Sequence, residues 1–292
     1  MNADQPIDSS AGRPDATAVR LGDVQETLLI PLYFRAKESA RSDALFHDPH
    51  AARIVPTIAY DFSRFDAAWQ LCGDVVVRTT VFDRWVGQFI DQHPDAVIVN
   101  LGAGLDARFW RLDNGSIRWF DLDMPDSIDL RNAFLPAHDR VETIAMSLFD
   151  TGWMDRIERN APLLFVAEAL LFYFPRDEVR DVMAAMAKRF PGSTMMFQSV
   201  APEIAGRASS VPLLRQTNAQ LHWGLHTGRE LESWDIGARF IRETSLVDHH
   251  PQRWRWYRWA RHVPRLGRYL REVMKVTEVR LGEAATGRSD QS

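Results

Sequence analysis

Asn100-Leu-Gly-Ala-Gly-Leu-Asp-Ala107 follows directly on the β-branched run Ala96–Leu101, and a second apolar run closes on Asp121-Leu-Asp123. Without β-carbons, Gly102 and Gly104 let the chain turn sharply and let a ligand approach the backbone. Asp123 lies about twenty residues beyond the glycines, at the end of the next strand, where an acid accepts hydrogen bonds from both hydroxyls of a ribose. Glycines after a strand, with an acid after the next, point to an adenosine-containing cofactor. The plainer reading, a tight strand-to-helix turn, stays open at this stage. Gly102, Gly104 and Ala107 also satisfy the fingerprint of nicotinamide dinucleotide enzymes. A dinucleotide domain usually opens near its fingerprint, however, and here the first 95 residues lie ahead of the strand. S-adenosylmethionine is held by its ribose in the same way but carries no pyrophosphate, and its methionyl end needs a cation for the carboxylate and an anion for the amino group.

Both charges are present. Arg78 falls on a helical apolar stripe with Phe82, Trp85, Val86 and Phe89, and an inward guanidinium needs an anion to offset its desolvation. A cofactor carboxylate would serve, as would Asp83 or Asp106. Glu168 ends the run Leu163–Ala167, at the carboxyl edge of a predicted central strand, which is the edge where ligands bind.

The elements that must position these groups can be read from periodicity. Leu71–Ile90 repeats its apolar residues at helical spacing, with Val75, Phe82, Val86, Phe89 and Ile90 on one face. From Ala96 onward the period changes. Strands are predicted at Ala96–Leu101, Ile117–Leu122, Val141–Ala145, Leu163–Ala167, Thr194–Gln198, Phe240–Leu246 and Met274–Leu281, with a helix at Arg176–Arg189. Strands alternating with helices imply a layered α/β sheet with right-handed crossovers. The segment Ala201–Gly237 interrupts the alternation and reads as a lid or as a surface hairpin.

The 292 residues suffice for a sizeable core, and 35 basic against 39 acidic side chains leave a net charge of −4, with no general attraction to nucleic acid or anionic membranes. The lone cysteine, Cys72, excludes an intrachain disulfide and zinc-ribbon patterns, so no metal is expected. The first thirty residues lack the pattern of a signal peptide and no run is long enough to span a membrane, so a cytoplasmic setting is expected.

Six motifs in order carry a family resemblance: Pro31–Ser39, His47-Asp-Pro-His-Ala51, Arg78-Thr-Thr-Val-Phe-Asp83, Val99–Arg108, Phe120-Asp-Leu-Asp-Met-Pro125 and Ala167-Glu-Ala-Leu-Leu-Phe-Tyr173. The sequence resembles the leucine carboxyl methyltransferase family, in its polyketide O-methyltransferase (tetracenomycin-type) branch. The resemblance implies a Rossmann-like class I methyltransferase fold of seven mostly parallel strands, the last antiparallel, with an N-terminal helical cap and an insertion after the fifth strand. It divides the chain into a disordered tail at 1–18 and a single methyltransferase domain at 19–292. Within that domain lie the cap at 19–93, the cofactor-binding half at 94–200, the lid insertion at 201–237 and the C-terminal strands and helix at 238–292.

The cofactor implied is S-adenosylmethionine, with S-adenosylhomocysteine as product. By the same resemblance Arg78 holds the methionyl carboxylate, with Lys37 as the second basic contact and Arg35 competing for that role. Gly102 lines the methionyl and ribose region, Asp123 takes the ribose, Ser147 and Leu148 face the adenine, and Glu168 lies near the methionine moiety. Ser147-Leu148 replaces the family's Asp-Leu, and Ala167-Glu-Ala169 replaces its Ala-Glu-Gly.

An O-methyltransferase acting on a carboxylate or phenol of a polyketide-type small molecule is the activity implied. A nicotinamide-dependent oxidoreductase and a cofactor-binding module without turnover are the alternatives. An ionised carboxylate requires no general base, whereas a phenol benefits from one. No catalytic base stands out, and Tyr173, His222 and Trp223 are the candidates for the substrate side, with His226 nearby. The stretch Arg253-Trp-Arg-Trp-Tyr-Arg-Trp-Ala-Arg261, continued by Arg265, Arg268 and Arg271, interleaves arginine with aromatics. In an acidic chain, packing against the sheet accounts for it better than nucleic acid or membrane. A carrier protein and a homodimer are the partner readings left open.

Overall fold

The computed structural model describes residues 26–71, 73–158, 160–205, 220–254, 260 and 263–282. The N-terminal stretch 1–18, part of the insertion and most of the arginine–tryptophan stretch lie outside the described residues.

Seven strands form the central sheet: β1 Val97–Leu101, β2 Arg118–Asp123, β3 Val141–Ala145, β4 Leu163–Ala167, β5 Thr194–Val200, β6 Arg239–Ser245 and β7 Met274–Arg280. Their order is β3-β2-β1-β4-β5-β7-β6, and β7 runs antiparallel to both β5 and β6 while the other pairs are parallel. The strands at the centre are buried on both faces, which is why they read as unbroken apolar runs rather than alternating ones.

Side chains nonetheless part by alternation. Val97, Val99 and Leu101 of β1, with Phe165 of β4 and Phe197 of β5, face a core built with helix α7 (Arg176–Arg189) and Trp153. Ile98, Val166 and Met196 face the opposite core, built with helix α4 (Asp74–Gln92). Each large side chain buried there contributes about 2–3 kcal/mol of apolar transfer. α7 starts after Pro175, carries Asp177 and Glu178 in its first turn and Lys188 and Arg189 in its last, matching the helix dipole at both ends.

A third core lies beneath the cap. Helix α1 (Glu26–Ser39), α2 (Pro49–Ile54) and α3 (Asp66–Leu71) close around Leu29, Leu32, Phe34, Ile54 and Phe65, and reach Leu105 and Ala107 of the glycine loop. The short α5 (Arg108–Leu112) follows that loop, and α6 (Pro125–Phe134) follows β2. Helix α8 (Pro264–Val273) precedes β7. Arg253 ties the C-terminal region to the cap through Glu38 at 2.7 Å and Asp43 at 2.8 Å, and Trp254 is buried. Among the described residues no helix is long and apolar enough to cross a membrane.

Candidate cofactor site

The site is built where β1 and β4 end. β1 runs into Gly102 and Gly104, whose φ angles of +65° and +46° are open to glycine and strained for other residues. The space beside them is closed as well. A β-carbon on Gly102 would lie 2.7 Å from Leu170 Cδ1, and one on Gly104 would lie 2.9 Å from Leu28 Cδ2. Two buried groups hold this loop from below. Asp123 at the end of β2 accepts the Gly104 N–H at 2.7 Å, and Arg131 of α6 donates to the carbonyls of Gly104 at 2.9 Å and Asp106 at 2.7 Å. Arg131 also pairs with buried Asp121 at 2.6 Å.

Above the loop lies a cavity roofed by α1 through Leu28, Ile30, Pro31 and Arg35, and walled by Val75, Arg78, Asn100, Glu168, Ala169 and Tyr173. Arg78, only 4% exposed, donates Nε to Glu168 Oε1 at 2.7 Å and Nη1 to Gln198 at 3.2 Å and Asp74 at 3.5 Å. Its Nη2 makes no hydrogen bond among the described residues. Burial alone would lower the Arg78 pKa, but Glu168 and Asp74 more than reverse this and the guanidinium stays charged. Burial pushes Asp74 up, with Arg78 opposing, and Oδ1 of Asp74 is buried without a hydrogen bond. Burial likewise raises Asp123, against the pull of the Gly104 and Met124 N–H groups, and pushes the Tyr173 phenol up to about 12.

The charges extend well beyond the cavity. Arg108 joins Asp83 at 2.7 Å, Asp106 at 2.7 Å and Glu168 Oε2. Arg111 joins Asp83 at 2.7 Å, Asp106 at 3.0 Å and Asp48 at 3.2 Å, and Arg35 completes the chain on Asp48 at 2.9 Å. Asp48, Asp74, Asp83, Asp106 and Glu168 thus face Arg35, Arg78, Arg108 and Arg111, so carboxylates outnumber guanidiniums by one. Burial would raise Asp106, yet Arg108, Arg111 and Arg35 hold it well below the usual carboxylate range.

Of the residues predicted from sequence, the structure brings Arg78, Gly102, Gly104, Glu168 and Tyr173 to this cavity, with Asp123 directly beneath the loop. Arg78 meets Glu168 and Asp74; the acids considered for it, Asp83 and Asp106, are taken by Arg108 and Arg111. Lys37 is not brought there: its ammonium is held by Asp66 at 2.9 Å and the Tyr33 hydroxyl at 3.2 Å, and Arg35, two residues earlier on α1, is the basic residue in the lining. Ser147 and Leu148 follow β3. The Ser147 hydroxyl accepts the Phe149 N–H at 3.3 Å, and buried Leu148 packs into the α7-side core. Trp223 lies in that core too, stacked on Phe197 with centroids 6.3 Å apart, while His222 and His226 are exposed. Sequence reasoning missed Arg108, Arg111, Arg131, Asn100 and Gln198. The interruption of a buried strand by Gln198 and the spacing of Arg108 and Arg111 on one helix face were the available signals.

The residues fit S-adenosylmethionine. Arg78 offers a free donor edge and Asp74 an unsatisfied buried acceptor, the positive-φ glycines bring bare backbone to the cavity wall, and carboxylates outnumber guanidiniums by one, which suits a sulfonium cation. A pyrophosphate would face the same excess of carboxylates. Among the described residues no cluster of His, Cys, Asp and Glu is arranged to hold a metal.

Strand order and site together define a class I methyltransferase. A protein from Streptomyces avermitilis shares the fold with a TM-score of 0.54 at 13% identity, covering 85% of this chain and 96% of its own. The leucine carboxyl methyltransferase family matches residues 29–187. The tetracenomycin polyketide synthesis O-methyltransferase TcmP of Streptomyces glaucescens is 36% identical over 231 residues, 79% of this chain and 86% of that protein. An S-adenosyl-L-methionine-dependent methyltransferase of Gibberella zeae, dpfgK, is 30% identical over 84% of this chain and 89% of its own. The chain belongs to the leucine carboxyl methyltransferase family and is an S-adenosylmethionine-dependent methyltransferase. Nothing in these similarities favours the nicotinamide alternative.

Proposed function

We propose that this protein methylates an oxygen, carboxylate or phenolate, of a polyketide-type small molecule. The observation that carries the reading is the Arg78–Glu168 pair, with Glu168 directly after β4, set against the two positive-φ glycines that follow β1. The name of the Streptomyces glaucescens relative supports the acceptor class.

When bound, S-adenosylmethionine supplies a methyl group already activated on a sulfonium. The protein's own task is therefore binding and alignment. Arg78 binds the methionyl carboxylate through its free edge, Glu168 and Asp74 face the amino group, and Asp123 accepts from the ribose while fixing the loop. Ser147, following β3, is our reading of the adenine contact, and Arg35 takes the N-terminal basic role. α1 excludes water over the loop. Tyr173, whose phenol stays protonated across the working pH range, donates a hydrogen bond to the acceptor oxygen. A carboxylate acceptor arrives ionised and leaves the site no proton to remove. Within the insertion, Ile204 and Leu221 pack with Ala169 and Tyr173, and on our reading they belong to the acceptor side of the site.

Isothermal titration with S-adenosylmethionine, S-adenosylhomocysteine, NAD and NADP, followed by labelled methyl transfer to a panel of aromatic carboxylic acids and phenols, tests this. Saturable binding of the first pair alone, with label recovered as base-labile ester or stable ether, supports the reading. Transfer to nitrogen acceptors only would overturn it, and binding without transfer would favour the cofactor-binding module.

A further inference from the structure

Arg108 is 1% exposed and reaches three elements at once: Asp83 on α4, Asp106 on the glycine loop and Glu168 beyond β4. Its hold on Glu168 matters for what Arg78 does. A guanidinium pairs with a carboxylate most strongly side-on, through Nε and Nη2 together. Arg78 presents that edge to Glu168, yet only Nε is engaged, because Oε2 of Glu168 belongs to Arg108. Without Arg108, Oε2 is released to Nη2, the fork closes, and the donor edge facing the cavity is consumed within the protein. Arg111 keeps Arg108 aimed by sharing Asp83 and Asp106 with it.

We propose that Arg108 is a positioning residue for cofactor binding: by holding Oε2 of Glu168 it keeps Nη2 of Arg78 free for the methionyl carboxylate. This rests on the reading of Arg78 given above. Arg108 does not line the cavity, so it acts through the lining residues it holds, of which Glu168 is the one that contacts Arg78.

The test compares two neutral probes that differ only at the methionyl end. S-adenosylhomocysteine carries the whole amino-acid end, carboxylate and amino group together, and 5′-methylthioadenosine keeps the nucleoside and sulfur without either. Binding of each to the full chain is measured by isothermal titration for the wild type, Arg108→Gln, Arg108→Lys and Arg78→Ala. Arg108→Gln weakens S-adenosylhomocysteine at least tenfold and leaves 5′-methylthioadenosine within twofold. Arg108→Lys keeps the charge but not the three-way reach, and shows the same selectivity with a smaller loss. It also answers the question if Arg108→Gln does not fold. Equal weakening of both probes would mean a merely structural arginine, and wild-type affinity in both Arg108 variants would mean that Glu168 needs no such hold. Either result overturns the proposal. If Arg78→Ala leaves S-adenosylhomocysteine binding unchanged, the underlying reading of Arg78 fails instead.

Discussion

Asp123 and Gly104 hold each other: the carboxylate at the end of β2 accepts the loop N–H at 2.7 Å, so the acid shapes the turn it serves. An asparagine keeps one acceptor oxygen for Gly104 but loses the carboxylate a ribose would use. Asp123→Asn is expected to weaken S-adenosylhomocysteine ten- to hundredfold, with the melting temperature within a few degrees of wild type. Titration calorimetry and a thermal melt check the two halves separately.

Tyr173 lines the cavity with a phenol pushed up to about 12 by burial. On the proposed reading it donates a hydrogen bond to the acceptor rather than serving as a base. Tyr173→Phe should raise the KM of the acceptor severalfold while leaving the shape of the pH–rate profile between pH 6 and about 9.5 unchanged. An alkaline limb that disappears in the variant would assign it the role of base.

Ala169 sits at φ +50°, a conformation that costs a non-glycine residue about 1 kcal/mol. Ala169→Gly removes this strain at the place where the family usually has glycine. The expected gain is about 1 kcal/mol, or a rise of roughly 2–4 °C in melting temperature for a chain of this size.

Arg131 neutralises Asp121, which is wholly buried and also accepts from Asn100 at 3.0 Å and Trp119 at 2.9 Å. Arg131→Met leaves that carboxylate unpaired and should cost about 3–5 kcal/mol in urea unfolding. Adding Asp121→Asn should recover part of the loss, and a double variant no better than the single one would show that Arg131 matters mainly through the loop carbonyls.

The folded-state pKa of Asp106 lies below its unfolded value, so its pairing contributes stability above about pH 4 that is lost as the pH falls through the folded value. Asp74, Asp121 and Asp123, raised by burial, act oppositely and lose their contribution as pH rises through their folded values. Urea midpoints measured from pH 5 to 2.5 should fall steeply for the wild type, and less steeply for Asp106→Asn.

Most of the sheet was legible because buried parallel strands leave a local mark. Val141–Ala145 and Leu163–Ala167 match their predicted bounds, and the others differ by a residue or two at an end. Arg78 was legible because an arginine on an apolar stripe demands an anion. Its partners were not. Glu168 and Gln198 lie 90 and 120 residues away in sequence, and Arg108 reaches back 25 residues to Asp83 and forward 60 to Glu168. Pairings at such distances are decided by strand order, which periodicity does not contain. Trp223 looked like a substrate wall because it lies in the insertion after the fifth strand, yet an aromatic in that setting serves equally well as a core anchor, and its stacking on Phe197 is of that kind. Lys37 and Arg35 share one helix, and only the packing of α1 over the glycine loop separates their roles.

The antiparallel β7 lies between β5 and β6 although it follows both in the chain. During synthesis on the ribosome, β5 therefore keeps one edge unpaired and β6, whose sheet partner is β7, has no place in the sheet until about residue 280 has emerged. The open edge of β5 is a ready template for pairing with other chains. The exposed edge thus persists late in synthesis, and a chain cut short before Met274 would have its cofactor half complete but its sheet still unsealed.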